Sequence, residues 1–228
     1  MRAAAIIPAA GIGTRMRTSR PKQFLMLEEK PIIIHTLRKF CAHGQIQRVI
    51  VPIREADSAG LVVWLEREKL DGRVTLVMGG EHRQDSVYNG FKEVPVETQV
   101  VIVHDAVRPF VDHASIQAVM EEAAKSGCAI LAVPCVDTLK QIEMNQVVAT
   151  LPRERIVLVQ TPQAFQYALL KEGFERALAD GFYGTDESIL VERLGHPVKV
   201  LRGQEHNIKI TKPTDLPLAE FYAGQGKM

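Results

Sequence analysis

The first segment that could do chemistry is a glycine-containing loop rich in basic side chains. Residues 8–22 read PAAGIGTRMRTSRPK, directly after a short apolar run. Glycine lets the backbone approach a ligand closely, and successive backbone N–H groups can form a concave anion site. Arg15 and Lys22 would add charge against several phosphate oxygens. The segment therefore fits either a phosphate-binding loop or a tight turn that carries solvated arginines.

Two common phosphate-binding fingerprints do not fit this loop. A dinucleotide-binding loop needs a third small residue where this chain has Met16, so an NAD-dependent oxidoreductase is disfavoured. A P-loop needs Lys and then Ser or Thr after its second glycine, whereas Gly13 is followed by Thr14 and Arg15. From the loop alone, a phosphate site and a solvated turn are about equally supported.

A second candidate site lies in the segment VIVHDAVRP. Asp105 ends an apolar run that reads as a buried strand, where a carboxylate is costly without a partner. A Mg²⁺ ion or the hydroxyl groups of a substrate would supply that partner, and Arg108 would lie nearby. The alternative is an aspartate that caps a helix. We expect His104 to pack or to bond to the backbone.

The elements that must position these residues alternate regularly. Short apolar runs predict strands, and amphipathic stretches between them predict helices. In a doubly wound sheet, ligands bind beyond the carboxyl ends of the strands, which is where both candidate segments lie. The pattern therefore predicts an α/β fold with a doubly wound, mostly parallel sheet. The predicted strands are residues 3–7, 48–53, 74–78, 100–104 and 129–134, and the predicted helices lie within 31–43, 57–70, 85–94 and 112–127.

The rhythm changes after residue 134. Residues 137–154 read as two short strands around a turn near Asn145, which predicts a protruding β-hairpin arm. No linker or repeat divides the chain, so we expect residues 1–228 to form a single domain that carries this arm. The remaining predicted elements are a strand at 157–160, helices within 167–181 and 186–195, a strand at 197–203 and a helix near 215–224.

Composition excludes several classes of partner. The chain has 28 Lys and Arg against 27 Asp and Glu, which argues against nucleic acid or an anionic membrane as a partner. The three cysteines form no C-x-x-C pair, which fits a reducing compartment. The N-terminus resembles no signal peptide, and no apolar stretch approaches the ~20 residues of a membrane span. We therefore expect a cytoplasmic protein.

The motifs together resemble those of a known family. The first loop resembles the P-A-A-G-x-G-x-R-M…P-K-Q signature of the cytidylyltransferases of the non-mevalonate isoprenoid pathway. Further similar segments follow in family order and cover nearly the whole chain, which implies a Rossmann-like nucleotidyltransferase fold. They are GGEHRQDSV (79–87), VHDAVRP (103–109), DTLK (137–140), QTPQAF (160–165), TDE (185–187) and NIKITKPTDL (207–216).

The resemblance implies a nucleotidyl transfer. A phosphate oxygen of 2-C-methyl-D-erythritol 4-phosphate would attack the α-phosphorus of CTP in line. The products would be 4-diphosphocytidyl-2-C-methyl-D-erythritol and pyrophosphate, with Mg²⁺ or another divalent cation as cofactor. Since the attacking oxygen is already an anion, no general base is needed. Positioning and electrostatic stabilisation should supply most of the acceleration.

The resemblance also implies residue roles on the nucleotide side. Arg15 and Lys22 would stabilise the transition state at the triphosphate, and Asp105 would meet the metal directly or indirectly. Glu81 stands where many relatives have Asp, and we expect Asp85 to cap the next helix rather than contact ligand. The implied nucleotide-binding residues are Ala9, Ala10, Gly11, Gly13, Gly80, Glu81, Ser86, Asp105 and Ala106.

The acceptor side would need its own cations. The resemblance implies that Arg153 and Lys209 act in catalysis on the acceptor phosphate. It also implies a homodimer, in which the arm clasps a second subunit and Arg153 reaches the neighbour's acceptor pocket. The implied acceptor-binding residues are Asp105, Arg108, Thr138, Arg153, Thr161, Thr185 and Lys209.

Three alternatives remain open from the sequence. The same transfer could use ribitol 5-phosphate as the acceptor. A more distant alternative is a nucleotidyltransferase for a sugar 1-phosphate or a molybdopterin. The third is a protein that binds CTP without turnover, although such a protein would not need the acceptor-side cations Arg153 and Lys209.

Overall fold

The computed structural model of the chain describes residues 1–12 and 20–227. The strands are β1 (Ala3–Ile6), β2 (Met26–Leu27), β3 (Lys30–Pro31), β4 (Ile46–Ile53), β5 (Val74–Met78), β6 (Val100–Val103), β7 (Cys128–Pro134), β8 (Leu139–Glu143), β9 (Gln146–Leu151), β10 (Val157–Gln166) and β11 (Lys199–Arg202). The helices are α1 (Ile32–Cys41), α2 (Glu55–Arg67), α3 (Arg83–Lys92), α4 (His113–Ser126), α5 (Tyr167–Asp180), α6 (Ser188–Glu192) and α7 (Asp215–Gly224). Short 3₁₀ turns occupy Lys22–Phe24 and Arg153–Arg155.

Seven strands form the central sheet in the order β11-β7-β10-β6-β1-β4-β5. All neighbouring strands in it are parallel except the two pairs made by β10. The predicted doubly wound, mostly parallel sheet is confirmed, and each of the five predicted apolar runs overlaps one of its strands. The prediction of a strand over 157–160 was too short, because β10 continues to Gln166 and pairs with β6 in the middle of the sheet.

Helices cover both faces of the sheet, which explains why its central strands are apolar throughout. On one face, α1, α2 and α4 pack through residues such as Phe40, Leu61 and Met120. On the other face, α3, α5 and α6 pack through residues such as Phe91 and Phe174. The central strands β1 and β6 are buried along their whole length, so their carboxyl ends are rigid points from which loops can present side chains.

The termini of α4 follow from its sequence. The Asp112 side chain accepts a hydrogen bond of 2.7 Å from the backbone N–H of Ser115, which satisfies one of the free donors of the first turn. Gly127 ends the helix with φ of 92°, a conformation that favours glycine. Both ends of α4 therefore carry residue types that favour these positions.

The predicted hairpin arm is confirmed as β8 and β9, an antiparallel pair that leaves the sheet between β7 and β10. Met144 and Asn145 form its turn, both in the left-handed region, with φ of 43° and 65°. Most side chains of the arm are exposed. No helix among the described residues is long and apolar enough to span a membrane.

Candidate active site

A pocket opens where β1, β5 and β6 end, because parallel strands place their carboxyl ends at one edge of the sheet. Lys209, from the segment after β11, closes one side of it. Most predicted site residues meet here, namely Ala9, Ala10, Gly11, Lys22, Gly80, Glu81, Ser86, Asp105, Ala106 and Lys209. Gly13 and Arg15 lie outside the described residues.

The loop after β1 is held by a buried side chain. The backbone N–H of Ala9 donates to Pro52 at 2.7 Å, which extends the pairing of β1 with β4. The Gln23 amide donates to the carbonyls of Ala9 and Gly11 at 2.6 and 3.1 Å. Gln23 was not among the predicted site residues, although it is the last residue of the P-K-Q part of the first signature. Gln23 thus engages carbonyl groups of the loop and none of its N–H groups.

The loop after β5 depends on two glycines. A Cβ on Gly79 would lie 2.3 Å from the Cβ of Ala10, and a Cβ on Gly80 would lie 2.3 Å from that of Asp85. The loop after β5 therefore approaches both the loop after β1 and the start of α3 more closely than any larger residue would permit. The Asp85 carboxylate accepts from the backbone N–H of His82 at 2.9 Å, which confirms its predicted role as a helix cap.

Ser86 stabilises the same loop through two hydrogen bonds to its backbone. Its hydroxyl accepts from the backbone N–H of Gly80 at 3.0 Å and donates to the carbonyl of His82 at 3.1 Å. These bonds fix the backbone of Gly80 and Glu81 at the rim of the pocket. A direct bond from Ser86 to a base stays a prediction.

Asp105 is the most strongly paired carboxylate of the site. Its oxygens lie 2.9 Å from Lys209 Nζ, 3.3 Å from Arg108 Nε and 3.7 Å from Arg83 Nε. Burial opposes the charge, but these three cations lower the pKa of Asp105 well below its usual range. The partner of this buried carboxylate is therefore a set of cations. The alternative of a helix cap is wrong, because α4 begins at His113 and is capped by Asp112.

His104 has a structural part. The fully buried imidazole bonds through Nε2 to the backbone carbonyl of Arg108 at 3.0 Å and packs against Phe40. Burial lowers the pKa of His104 to about 4, so the ring is neutral near pH 7. The expectation that His104 packs and bonds to backbone is confirmed.

Two of the cations beside Asp105 have second anchors. Arg83 Nη1 donates to both oxygens of Glu187, at 2.8 and 2.9 Å. Arg108 Nη1 donates to the backbone carbonyl of Asn207 at 2.7 Å. Glu187 and Asn207 were not predicted as site residues, although they belong to the TDE and NIKIT segments that carry the resemblance.

Thr161 and three other predicted residues are placed differently. The Thr161 hydroxyl is buried and accepts from the backbone N–H of Asp105 at 3.0 Å, so it positions that residue. Thr138, Arg153 and Thr185 are exposed and do not line the pocket of their own chain. Arg153 lies at the base of the arm, where it donates to the carbonyl of Val136 at 2.8 Å.

The pocket offers few side chains that could bind a metal ion. Among residues 1–12 and 20–227, no group of three or more His, Cys, Asp or Glu side chains is arranged to hold a metal ion. The buried carboxylate in the pocket, Asp105, is already paired with three cations. The described side chains therefore do not form a metal cage of their own, and the predicted contact of Asp105 with Mg²⁺ stays a prediction.

Comparison with known proteins gives a consistent result. A family model described as 2-C-methyl-D-erythritol 4-phosphate cytidylyltransferase matches residues 3–225. A relative of that name from Solibacter usitatus is 47% identical, over 97% of this chain and 96% of its own. Another from Bacillus pumilus is 44% identical, over 94% of each chain.

Solved structures agree with the sequence relatives. The 4-diphosphocytidyl-2C-methyl-D-erythritol synthase of Anaerococcus prevotii superimposes with a TM-score of 0.86 at 32% identity, over 98% of this chain and 96% of its own. The 2-C-methyl-D-erythritol 4-phosphate cytidylyltransferase of Thermus thermophilus gives a TM-score of 0.82 at 34% identity, over 98% of this chain and 100% of its own. The predicted fold class is therefore confirmed at the level of the whole chain.

Proposed function

Because the chain belongs to the 2-C-methyl-D-erythritol 4-phosphate cytidylyltransferase family, we propose that it transfers CMP from CTP to 2-C-methyl-D-erythritol 4-phosphate and releases pyrophosphate. The observation that carries this proposal is the pocket at the carboxyl edge of the sheet. The pocket is lined by the backbone of the loop after β1, by Lys22 and by the ion pair of Asp105 and Lys209. Two polyanionic substrates need such a pair of cationic sites around one reacting phosphorus.

The reaction needs one bond exchange and no proton transfer. An oxygen of the acceptor phosphate forms a bond to the α-phosphorus of CTP, and the bond from that phosphorus to the β-phosphate oxygen breaks. Pyrophosphate leaves with the electron pair. The attacking oxygen is ionised near pH 7, so the site does not need a general base. The protein's part is to align two anions and to stabilise the charge that builds up on the phosphoryl oxygens.

We assign the triphosphate to the first loop. Lys22 lines the pocket together with Ala10 and Gly11. Arg15 lies between Gly11 and Lys22 in the sequence of the same loop. Lysine and arginine there would stabilise the charge on the transferring phosphoryl group. The rim at Gly80 and Glu81 would read the cytosine through the backbone. A pocket narrowed by backbone on this side would disfavour a purine.

We assign the acceptor phosphate to Lys209 and to Arg153 of a second subunit. Lys209 is 37% exposed, so it can turn part of its charge to a ligand while it pairs with Asp105. Arg108, Thr138 and Thr185 would complete the acceptor side, and Thr161 would act there by positioning Asp105. Exposed apolar side chains on the arm support an intersubunit contact, because Ile142, Met144 and Val147 are 61%, 96% and 61% exposed.

Magnesium enters this proposal with the nucleotide. A Mg²⁺ ion prefers phosphate oxygens and water and usually takes one or two carboxylates from the protein. We therefore propose that MgCTP is the substrate and that Asp105 supplies at most one ligand, directly or through water. The ion would neutralise charge on the triphosphate.

The deciding experiment measures pyrophosphate release from CTP and Mg²⁺ with each candidate acceptor. We expect release with 2-C-methyl-D-erythritol 4-phosphate and little with ribitol 5-phosphate or with no acceptor. Release with ribitol 5-phosphate alone would retain the transfer chemistry and overturn the acceptor. Tight CTP binding without release for either acceptor would favour another acceptor or a CTP-binding protein.

A further inference from the structure

Glu187 is a buried carboxylate that the proposed reaction does not use. It is 1% exposed, and both of its oxygens accept hydrogen bonds from Arg83. Within residues 1–12 and 20–227, Arg83 is its ion-pair partner. Burying a carboxylate is costly, and burial raises the pKa of Glu187 although Arg83 opposes the shift. The buried charge of Glu187 therefore needs an explanation other than the local fold.

The neighbouring carboxylate shows that this turn does not need Glu187 for its shape. Asp186 accepts from the Gln163 amide at 2.7 Å and from the Ser188 hydroxyl at 3.1 Å. It also accepts from the backbone N–H of Ile189 at 3.3 Å, in the first turn of α6. Neutral donors therefore hold the segment through Asp186, and Glu187 is directed instead at Arg83.

Arg83 lies between two carboxylates that compete for it. Nη1 is within hydrogen-bond distance of Glu187, whereas Nε is 3.7 Å from Asp105. The backbone around it is fixed, because the next residue, Gln84, donates to the carbonyl of Phe182 at 2.9 Å and accepts from the N–H of Gly184 at 2.8 Å. A rotation of the Arg83 side chain is therefore enough to change its partner.

We propose that Glu187 is a positioning residue, which holds Arg83 away from Asp105 so that Asp105 remains paired with Lys209. The inference rests on the proposed function, in which Lys209 holds the acceptor phosphate. Without the Glu187 charge, the attraction of Asp105 would draw the guanidinium from 3.7 Å into direct contact. Arg83 would then compete with Lys209, which now lies 2.9 Å from the same carboxylate.

The charge of the cluster makes the expected kinetic result specific. Arg83, Arg108 and Lys209 face Asp105 and Glu187, three cations against two carboxylates. Glu187→Gln raises the net charge of these groups from +1 to +2, so binding of the nucleotide anion should not weaken. We expect kcat to fall about tenfold or more with an unchanged or lower KM for CTP. General structural damage would lower kcat and also raise the KM for CTP.

The experiment compares Glu187→Gln with three other variants. Asp186→Asn is the matched control, because it disturbs the same turn and leaves Arg83 anchored, and it should keep the wild-type kcat. Glu187→Asp retains the charge and should recover most of the turnover. The double variant Arg83→Gln with Glu187→Gln removes the Arg83 charge, which would compete with Lys209 for Asp105, together with the Glu187 charge that holds Arg83. It should turn over faster than Glu187→Gln alone, which no purely structural role predicts.

A crystal structure of Glu187→Gln gives a readout that does not depend on activity. We expect Arg83 Nε within about 3.2 Å of Asp105, the range of a direct hydrogen bond. An unmoved Arg83, a wild-type kcat in Glu187→Gln, or the same kinetic change in Asp186→Asn would each overturn the inference. If wild-type protein released no pyrophosphate, the proposed function would fail, and this structure would still decide the position of Arg83.

If Glu187→Gln does not fold, the double variant Arg83→Gln with Glu187→Gln tests the inference on its own. Its neutral pair can still share a hydrogen bond in the buried site, so it avoids an unpaired charge. Turnover within about threefold of the wild type would support the inference. A folded double variant that lacks turnover would contradict it.

Discussion

Lys22 and Arg20 belong to the same basic segment, and the structure separates them. Lys22 lines the pocket, whereas Arg20 is exposed and lies outside it. We expect Lys22→Ala to lower the rate of pyrophosphate release by about 10²–10³, the usual cost of removing one preorganised charge at a phosphoryl group. The measurement is the steady-state rate at saturating CTP, with circular dichroism to confirm the fold. Arg20→Ala is the control, and an equal loss in both variants would contradict the assignment.

His104 makes the stability of the protein dependent on pH. Its pKa is about 4 in the folded protein, because of burial, and 6.5 for the ordinary group. Between these values the unfolded chain binds a proton and the folded chain does not, so the free energy of unfolding falls as the pH is lowered. We expect His104 to account for a loss of about 2 kcal/mol between pH 7 and pH 5.

Urea unfolding of the wild type and of His104→Gln at the two pH values checks this. Glutamine retains a donor for the carbonyl of Arg108 but does not titrate. The variant should therefore lose about 2 kcal/mol less stability than the wild type between pH 7 and pH 5. Asp105 has a lowered pKa, so its contribution to stability is lost only as the pH falls below about 5, through the ordinary carboxyl range, which separates it from that of His104. An equal loss in the variant and the wild type would contradict the prediction.

At the scale of elements, the pocket depends on how closely the loop after β5 approaches the start of α3. A Cβ on Gly80 would lie 2.3 Å from the Cβ of Asp85 and 3.0 Å from its backbone carbon. Neither atom can move unless the start of α3 moves with it. We expect Gly80→Ala to raise the KM for CTP about tenfold or more, equivalent to about 1.4 kcal/mol, with a smaller change in kcat.

The matched control is Gly72→Ala, in a turn outside the pocket. Apart from the two chain neighbours of Gly72, no heavy atom of the described residues lies within 4 Å of a Cβ at that position, so this variant should keep wild-type kinetics. Isothermal titration with CTP separates binding from turnover in both variants. Unchanged CTP affinity in Gly80→Ala would show that the loop tolerates the extra atom.

The elements that the sequence predicts well are those with local signals. Apolar runs and helical spacing identify the strands and helices, and Asp112 and Gly127 mark the ends of α4. The antiparallel course and full length of β10 were not predicted, because the register of a central strand depends on its distant partners. The Arg83–Glu187 pair is 104 residues apart and follows no local period, so only the fold reveals it.

At the scale of the whole molecule, the proposed function takes its site from two copies of the chain. Arg153 and Thr138 lie at the base of the arm and do not line the pocket of their own chain. Leu158 and Val159, near the amino end of β10, are 52% and 41% exposed beside a groove that also contains Arg108 and Lys209. An arm from a second copy could cover these apolar residues and bring an arginine towards the acceptor side. This arrangement leads to a test that needs no structure of the dimer.

The test mixes Lys22→Ala and Arg153→Ala, each of which we expect to have lost most of the wild-type rate. In a mixed dimer with shared sites, one site combines Lys22 of one subunit with Arg153 of the other and is intact, while its companion site lacks both. Random exchange of subunits should therefore restore about a quarter of the wild-type rate, since half of the dimers are mixed and each has one working site. Each variant alone, taken through the same exchange, is the control. If both residues serve the pocket of their own chain, mixing restores nothing, and the shared site is wrong even if the protein is a dimer.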